Sequence, residues 1–126
     1  MGREVLRVVA TNYQRGASFE RRVKALLEGE GFAVVRSAGS HSPADLVAMR
    51  GGELAIIQCK RDGRLVPSEW NEFVEFCVKA GGVPILASVE GRKVLLERIT
   101  GMKAGGRRQP KERWEDANGE VPIPDS

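Results

Sequence analysis

Residues 54–57 form an apolar run, Leu-Ala-Ile-Ile, that ends in the polar stretch Gln58-Cys59-Lys60. Apolar and polar side chains do not alternate along this run, which predicts a strand that is buried on both faces and therefore central in a sheet. Gly51 and Gly52 separate the run from the apolar segment 44–50, and a glycine pair between two apolar runs is a strong hairpin signal. The sequence therefore predicts a hairpin whose second strand is central and ends in polar side chains.

Helices and further strands are predicted around this hairpin. Apolar residues recur with helical spacing in 18–29 and 68–79, and glycines follow both segments. Apolar runs at 32–37, 83–89 and 93–99 predict strands. The second helix is long enough to be a crossover, so the strands on either side of it are expected to be parallel. The predicted fold class is α/β, with a mixed central sheet of about five strands flanked by helices.

The chain of 126 residues has the length of one domain. We expect this domain to occupy residues 1–100, with a short strand or an ordered arm at 4–11 and a connector at 12–16. From residue 101 the composition changes, because a basic, glycine-containing segment precedes an acidic, proline-containing end. Residues 101–126 are therefore expected to form a basic and then acidic tail that is flexible or docked on a partner.

The charge balance permits nucleic acid as a partner. The net charge is +3 and the pI is about 9.1, and the basic residues are 14 Arg and 6 Lys. Arginine suits phosphate contacts. Cys59 and Cys77 lie in apolar segments without metal-finger spacing, so reduced core thiols are expected rather than a disulfide. The sequence has no secretory signal and no apolar stretch near about 18 residues, which predicts a cytoplasmic protein with no membrane partner.

The candidate chemistry lies at the two strands of the hairpin. If these strands pair, Asp45, Gln58 and Lys60 project into one small volume. The two oxygen-bearing side chains, with the backbone carbonyl of Cys59, are the ligand type that Mg²⁺ prefers. A lysine beside such a metal can orient or deprotonate water, or neutralise developing charge. Glu20 adds a carboxylate if the first helix packs across the hairpin. The sequence therefore predicts a metal-dependent nuclease.

Each of these side chains also has a purely structural interpretation. Glu20 can pair with Lys24 one turn along its helix. Asp45 can begin a strand after a turn, and Lys60 can be a solvated residue at a strand end. The combination of an acid, an amide and a lysine around one strand end favours the catalytic interpretation.

Several stretches of the sequence carry a family resemblance. They are Arg15-Gly16, Phe19-Glu20-Arg21, Gly31-Phe32, Val34, Arg36-Ser37-Ala38-Gly39-Ser40, Asp45, Gln58-Cys59-Lys60 and Gly81 through Ala87. With these residues the chain resembles the archaeal-type Holliday junction resolvases, a family of the PD-(D/E)xK nuclease superfamily, over roughly residues 15–90. The acid and lysine motif alone is weak, but the helical Glu-Arg pair, the Arg-x-x-Gly-Ser loop and their spacing are specific.

The resemblance implies roles for individual residues. Glu20 matches the family's helical catalytic glutamate, Asp45 its central metal-binding aspartate and Lys60 its catalytic lysine. Ser40 matches a loop serine that assists phosphate handling, and it can equally satisfy a turn. The resemblance implies DNA contact or site support at Arg15, Arg21 and Arg36. We expect Arg61 and Arg64, in a basic loop, and His41 to join them, although His41 can equally be an ordinary exposed loop histidine.

The resemblance also implies an assembly and a reaction. The family has the restriction-endonuclease fold, and its members act as homodimers on branched DNA. They cut the two continuous strands of a four-way junction symmetrically, with Mg²⁺ as cofactor or with Mn²⁺ in its place. A cellular role in an archaeal or bacterial cytoplasm and a viral role in a host cytoplasm are both open.

Gln58 departs from the family pattern, which usually has glutamate there. Glutamine keeps an oxygen donor but removes one negative charge, so weaker metal binding is expected unless Glu20 compensates. Ala44 also separates Pro43 from Asp45, a small departure from a strict proline-acid pair. Two alternatives therefore stay open. One is a nuclease of the same fold acting on a flap, a nick or a duplex sequence, and the other is a junction-binding protein with weak or no catalysis.

Overall fold

The computed structural model describes residues 2–37, 42–104 and 108–115, and of residues 2–15 it describes the backbone. The elements in chain order are α1 (Gly2–Gly29), β1 (Ala33–Arg36), β2 (Leu46–Arg50), β3 (Glu53–Cys59), α2 (Pro67–Ala80), β4 (Val83–Glu90), β5 (Lys93–Ile99) and β6 (Lys111–Arg113). The strands form one six-stranded sheet in chain order. Neighbours are antiparallel except β3 and β4, which are parallel. The predicted α/β class and mixed sheet are confirmed.

Two glycines make the tight turn between β2 and β3. Gly51 and Gly52 have φ angles of 54° and 87°, and a two-residue hairpin turn of type I′ needs a positive φ at both central positions. The turn sets a register in which Leu46 pairs with Ile57. The start of β2 therefore lies beside the end of β3, as the hairpin prediction requires.

β3 lies between two hydrophobic clusters, one under each helix. Ala55 and Ile57 belong to the α1 cluster, Ile56 belongs to the α2 cluster, and none of the three is more than 2% exposed. The buried residues of the α1 cluster are Phe19, Val23, Leu27, Phe32, Leu46, Ala48, Ala55, Ile57, Ile85, Ala87, Leu96 and Trp114. Those of the α2 cluster are Ala44, Ile56, Leu65, Trp70, Phe73, Cys77, Leu86 and Ile99. Burial on both faces confirms that β3 is the central strand predicted from its apolar run.

The helix α2 is the crossover between the parallel strands β3 and β4. It begins at Pro67, where the missing N–H is harmless because the first N–H groups of a helix have no partner within the helix. It ends at Gly81, whose φ of 74° is the left-handed conformation that closes many helices. The side chains that α2 buries are Trp70, Phe73 and Cys77. Short connections at both ends thus carry the chain directly from the end of β3 to the start of β4.

The N-terminal predictions were wrong. Neither the expected strand or arm at 4–11 nor the connector at 12–16 forms, because α1 runs without interruption from Gly2 to Gly29. A glycine inside a helix, such as Gly16, costs only about 0.5–1 kcal/mol relative to alanine. A helix already anchored by its buried C-terminal half extends without a new nucleation cost. Although α1 has 28 residues, no helix in the described part of the chain is both long and apolar enough to cross a membrane.

The sequence also missed the last strand, β6, which lies within the predicted tail. The N–H of Thr100 donates to the carbonyl of Pro110 at 2.8 Å, and the N–H of Trp114 donates to the carbonyl of Leu96 at 2.9 Å. The Trp114 ring packs at a centroid distance of 5.5 Å on Phe32. Residues 111–114 are therefore part of the sheet and its core. The remainder of the predicted tail, at 105–107 and 116–126, lies outside the described residues.

We expect Trp114→Ala to lower the free energy of unfolding by about 3–5 kcal/mol, the usual cost of removing a buried aromatic side chain. Trp114 is only 6% exposed and closes the α1 cluster. Urea denaturation at constant protein concentration measures the change. Met102→Ala is the control, because Met102 is 48% exposed and should shift stability by less than about 0.5 kcal/mol. Equal stability of the Trp114 variant and the wild type would contradict a structural role for this segment.

Candidate active site

Asp45 directly precedes β2 and is held by hydrogen bonds to both neighbouring strands. Its N–H donates to the carbonyl of Ile57 at 2.9 Å, and its carbonyl accepts from the N–H of Ser37 at 2.9 Å. Its side-chain Oδ2 accepts from the N–H of Cys59 at 2.7 Å. In a strand the N–H and C=O of one residue point toward the same neighbour, so the carbonyl of Cys59 also lies on the Asp45 side. The acid and this carbonyl are thus together at the end of β3.

Burial has the largest effect on the pKa of the Asp45 carboxyl. Burial raises its pKa above the ordinary value, and the nearby charge of Glu20 adds to the rise. The hydrogen bond from Cys59 and the positive charges of Lys60 and Arg36 lower the pKa without cancelling the rise. The ionised form is therefore held at a cost in free energy, which a bound cation would relieve.

Glu20 reaches this site from α1. Its Oε1 lies 2.8 Å from Nε of Arg36, the last residue of β1, in a charged hydrogen bond between helix and sheet. The structural interpretation of Glu20 as a partner of Lys24 is wrong, because Lys24 pairs with Glu28 at 2.9 Å. Glu20 thus turns toward the sheet and acts electrostatically on Asp45.

Lys60 follows β3 and carries the positive charge of the site. Its N–H donates to the carbonyl of Ala87 at 2.8 Å, which ties its backbone to β4. Its Nζ lies 3.7 Å from Oε2 of Glu69 in the first turn of α2, and the two side chains are 39% and 49% exposed. An exposed pair of this kind contributes little to stability, so the ammonium can turn to a substrate phosphate at low cost.

An open depression of about 640 Å³ lies between α1 and the end of β3. The residues that line it are Gly16, Phe19, Glu20, Cys59, Lys60, Arg61 and Asp62. The Arg61 guanidinium lies 5.7 Å from the centre of the Phe19 ring, which holds it at the rim through a cation–π contact. The depression is therefore bordered by both acidic and basic groups and is open to a large substrate.

The donor set fits a hard cation that keeps part of its water shell. Glu20 and Asp45 are carboxylates that act electrostatically on each other, and the carbonyl of Cys59 lies beside Asp45. Within the described residues, no three His, Cys, Asp or Glu side chains form a closed metal cage. Mg²⁺ usually takes one or two carboxylates and leaves its other positions to water and substrate phosphate. Two carboxylates and one carbonyl would leave the other positions of such a cation to water.

The sequence profile described as archaeal Holliday junction resolvase (hjc) matches residues 11–108. The chain belongs to this family. It is 44% identical over 79 residues to the crossover junction endodeoxyribonuclease Hjc of Methanocaldococcus jannaschii, covering 60% of this chain and 59% of that protein. The chain thus matches less than two thirds of the length of this relative.

A solved structure gives the same family and fold. The Holliday junction resolvase Hjc of Archaeoglobus fulgidus, an archaeal hyperthermophile, superposes with a TM-score of 0.56 at 30% sequence identity. The match covers 63% of this chain and 72% of that structure. The resolvase fold predicted from the sequence is confirmed.

Gln58 lies at the position where the resemblance implies a glutamate. It is half buried near the end of β3, between Ile57 and Cys59, which both contact the α1 cluster. Side chains alternate along a strand, so Gln58 points to the face of β3 opposite to the Cys59 thiol. Burial raises the pKa of that thiol, and the charges of Asp45 and Glu20 raise it further. Cys59 is therefore a protonated thiol, and only its backbone is suited to metal binding.

The other residues predicted for DNA contact lie partly within the described residues. Arg21 and Arg64 are exposed, Arg21 on α1 next to Glu20 and Arg64 in the loop before α2. Arg15 lies within α1, but its side chain is outside the described part of the chain. Ser40 and His41 lie in 38–41, also outside the described residues. Their roles stay predictions.

Two residues near the candidate site were not predicted from the sequence. Glu69, in the first turn of α2, faces the Lys60 ammonium. Gly63, in the loop after Lys60, is buried against the end of the sheet. No local pattern marks such contacts, because they depend on how the loop folds back onto β4.

Proposed function

We propose that this chain is a structure-selective endodeoxyribonuclease that resolves four-way DNA junctions as a homodimer with Mg²⁺, which Mn²⁺ can replace. The observation that carries the proposal is that Glu20 and Lys60 line one depression at the end of β3, where the Asp45 carboxylate accepts a hydrogen bond from the N–H of Cys59. The printed activity of the Methanocaldococcus jannaschii relative, a crossover junction endodeoxyribonuclease, supports the choice of substrate. We expect this reaction to take place in the cytoplasm.

The acidic residues would hold the cation. Asp45 and Glu20 would supply negative charge, and the Gln58 side chain and the carbonyl of Cys59 would supply neutral oxygens. When bound, Mg²⁺ supplies Lewis-acid stabilisation of the phosphate and lowers the pKa of coordinated water. The hydrogen bond from the N–H of Cys59 engages one oxygen of the Asp45 carboxylate, Oδ2, and the other oxygen would serve the cation. Arg36 orients Glu20 toward the site through its charged hydrogen bond.

Lys60 would act on the reacting phosphate. An ammonium at this position can orient the attacking water and neutralise the charge that develops on the phosphate oxygens. Arg61 lines the depression, and Arg64 and Arg21 are exposed, in the loop before α2 and on α1. All three would contact the DNA backbone. Contacts of this type set position and not sequence, so selectivity would come from the shape of the branched DNA.

A homodimer fits the symmetry of the proposed substrate. The described residues of one chain bring together one such site, whereas resolution requires cuts in two strands of like polarity. A two-fold dimer would present two identical sites at a fixed separation. Two such sites would act on the two continuous strands of one four-way junction.

A panel of DNA substrates tests the proposal. We expect paired, symmetric nicks on a synthetic four-way junction with Mg²⁺, and a rate at least about a hundredfold lower on linear duplex, in keeping with the loss of the second positioned strand. A flap and a splayed duplex are the matched branched controls. Equal cutting of the junction and the linear duplex would overturn the proposed substrate, and faster cutting of the flap would favour the alternative nuclease.

The second candidate is a junction-binding protein with weak catalysis, and Gln58 is the observation that favours it. We expect Gln58→Glu to restore a carboxylate and to lower the Mg²⁺ concentration for half-maximal cleavage by about tenfold, since a nearby unit charge contributes more than about 1.4 kcal/mol at short range. Metal titration of junction cleavage measures this shift. Gln109→Glu, which changes a half-buried glutamine on the C-terminal segment, is the control.

Wild type and Gln58→Glu together decide between the two candidate functions. If wild type and Gln58→Glu both bind the junction without cutting it, the enzyme proposal fails. If both cut with the same metal requirement, Gln58 does not limit metal binding.

A further inference from the structure

The loop between β3 and α2 carries the lysine and two arginines of the proposed site, and backbone hydrogen bonds attach it to β4. The N–H of Lys60 donates to Ala87 at 2.8 Å, and the N–H of Val89 donates to the carbonyl of Arg61 at 3.0 Å. Inside the loop, the N–H of Gly63 donates to the carbonyl of Lys60 at 2.8 Å. The position of Lys60 therefore depends on how this loop rests on the sheet.

Gly63 is the point at which the loop touches the sheet surface. It is buried and has a φ of +70°, and a Cβ built on it would lie 3.4 Å from Cβ of Ser88 and 4.0 Å from Nζ of Lys111. Ser88 is itself only 4% exposed. The floor under Gly63 is thus made of one small side chain from β4 and one long side chain from β6.

An ion pair fixes the Lys111 side chain in this floor. Its Nζ lies 2.6 Å from Oε1 of Glu97 on β5, and the two side chains are 20% and 15% exposed. Burial of this degree weakens screening by salt. Lys111 lies beyond residues 11–108, the part of the chain that matches the family. The side chain that lies near Gly63 of the loop thus belongs to a segment that the family profile does not include.

A second residue after β5, Lys103, lies within residues 11–108 and holds the far end of the loop. Lys103 and Asn71 exchange two hydrogen bonds, of 2.7 Å and 3.0 Å, between backbone and side chain. The Nζ of Lys103 also lies 3.4 Å from the carbonyl of Leu65. Both ends of the loop are therefore in contact with residues that follow β5.

We propose that Lys111 is a positioning residue, whose ion pair with Glu97 supports Gly63 and through it holds the Lys60 ammonium in place relative to Asp45. The proposal deepens the proposed function and rests on it. Displacement of a catalytic group by about 1 Å can cost about a hundredfold in rate. Arginines at the DNA backbone tolerate such displacement, because phosphate attraction extends over several ångströms. Loss of Lys111 should therefore affect cleavage more than binding.

Single-turnover cleavage of a four-way junction with enzyme in excess provides the first test. We expect Lys111→Met to lower the rate constant about tenfold and the junction affinity less than about threefold, and Lys111→Arg to keep most of the rate. Glu97→Gln should lower the rate constant by less than Lys111→Met does. It replaces Lys111→Met in the test if that variant does not fold. The matched control is Arg98→Met, which breaks the exposed Arg98–Glu112 pair between the same two strands.

Hydrogen exchange at the amides of Gly63 and Val89 provides a second test that needs no DNA. Exchange should be faster in Lys111→Met and unchanged in Arg98→Met. If the wild type cuts no junction but these amides respond as expected, the proposed function fails, whereas the support of the loop by Lys111 is upheld. If the Lys111 and Glu97 variants keep both wild-type exchange and wild-type cleavage, or if Arg98→Met loses as much activity, the positioning role is overturned.

Discussion

Replacing Asp45 with asparagine should lower junction cleavage about a thousandfold while junction binding remains, because several kcal/mol of cation-mediated stabilisation would be lost. The side-chain oxygen of asparagine can still accept the N–H of Cys59, now 2.7 Å from Oδ2. The change thus removes charge and preserves shape. Cleavage under single-turnover conditions and a binding titration without metal measure the two effects. Glu72→Gln, at an exposed position on α2, is the control.

The same substitution should raise the stability of the protein. Burial raises the pKa of Asp45 in the folded state, so between its ordinary pKa and the raised one the folded chain binds more protons than the unfolded chain. The contribution of Asp45 to the free energy of unfolding therefore falls as the pH rises from the ordinary pKa to the raised one. At higher pH this contribution stays at its low value. Asparagine does not ionise, so Asp45→Asn removes this destabilisation. Urea denaturation at pH 7 should show a higher free energy of unfolding, and a less stable variant would contradict the assigned environment.

Replacing Lys60 with methionine should lower the cleavage rate about a hundredfold or more at saturating Mg²⁺, the usual cost of losing one preorganised charge donor. Methionine keeps the length and apolar part of the side chain. Junction affinity should change little, because the arginines around the depression supply most of the phosphate attraction. Lys79→Met, in the last turn of α2, is the matched control. A Lys60 variant that cuts at the wild-type rate would remove this residue from the proposed mechanism.

The sequence predicts the centre of the fold well because local chemistry determines it. Gly51 and Gly52 require a tight turn, and the apolar run before Gln58 requires burial on both faces. The first half of α1 was missed, because its β-branched residues and Gly16 favour other structures locally. The short β6 was missed for a different reason. Three residues carry no periodicity, and the partner of Trp114 is Phe32, from the other end of the chain.

The candidate site, too, could be predicted from the sequence only in part. Asp45 and Lys60 follow from the hairpin, since their places at the ends of two paired strands are set by register. The turn of Glu20 toward Arg36, the contact of Glu69 with Lys60 and the support of Gly63 by Lys111 depend on how helices and loops pack on the sheet. No sequence pattern within one element could have indicated these contacts.

The most direct measurement of the central claim is single-turnover cleavage of a four-way junction, with Mg²⁺ titrated from zero, by the wild type and by Asp45→Asn side by side. We predict no cleavage without the cation, paired symmetric nicks that increase with Mg²⁺ for the wild type, and almost none for the variant at any concentration. Cleavage by the wild type in the presence of a chelator, or equal cleavage by both proteins, would contradict a metal site built on Asp45.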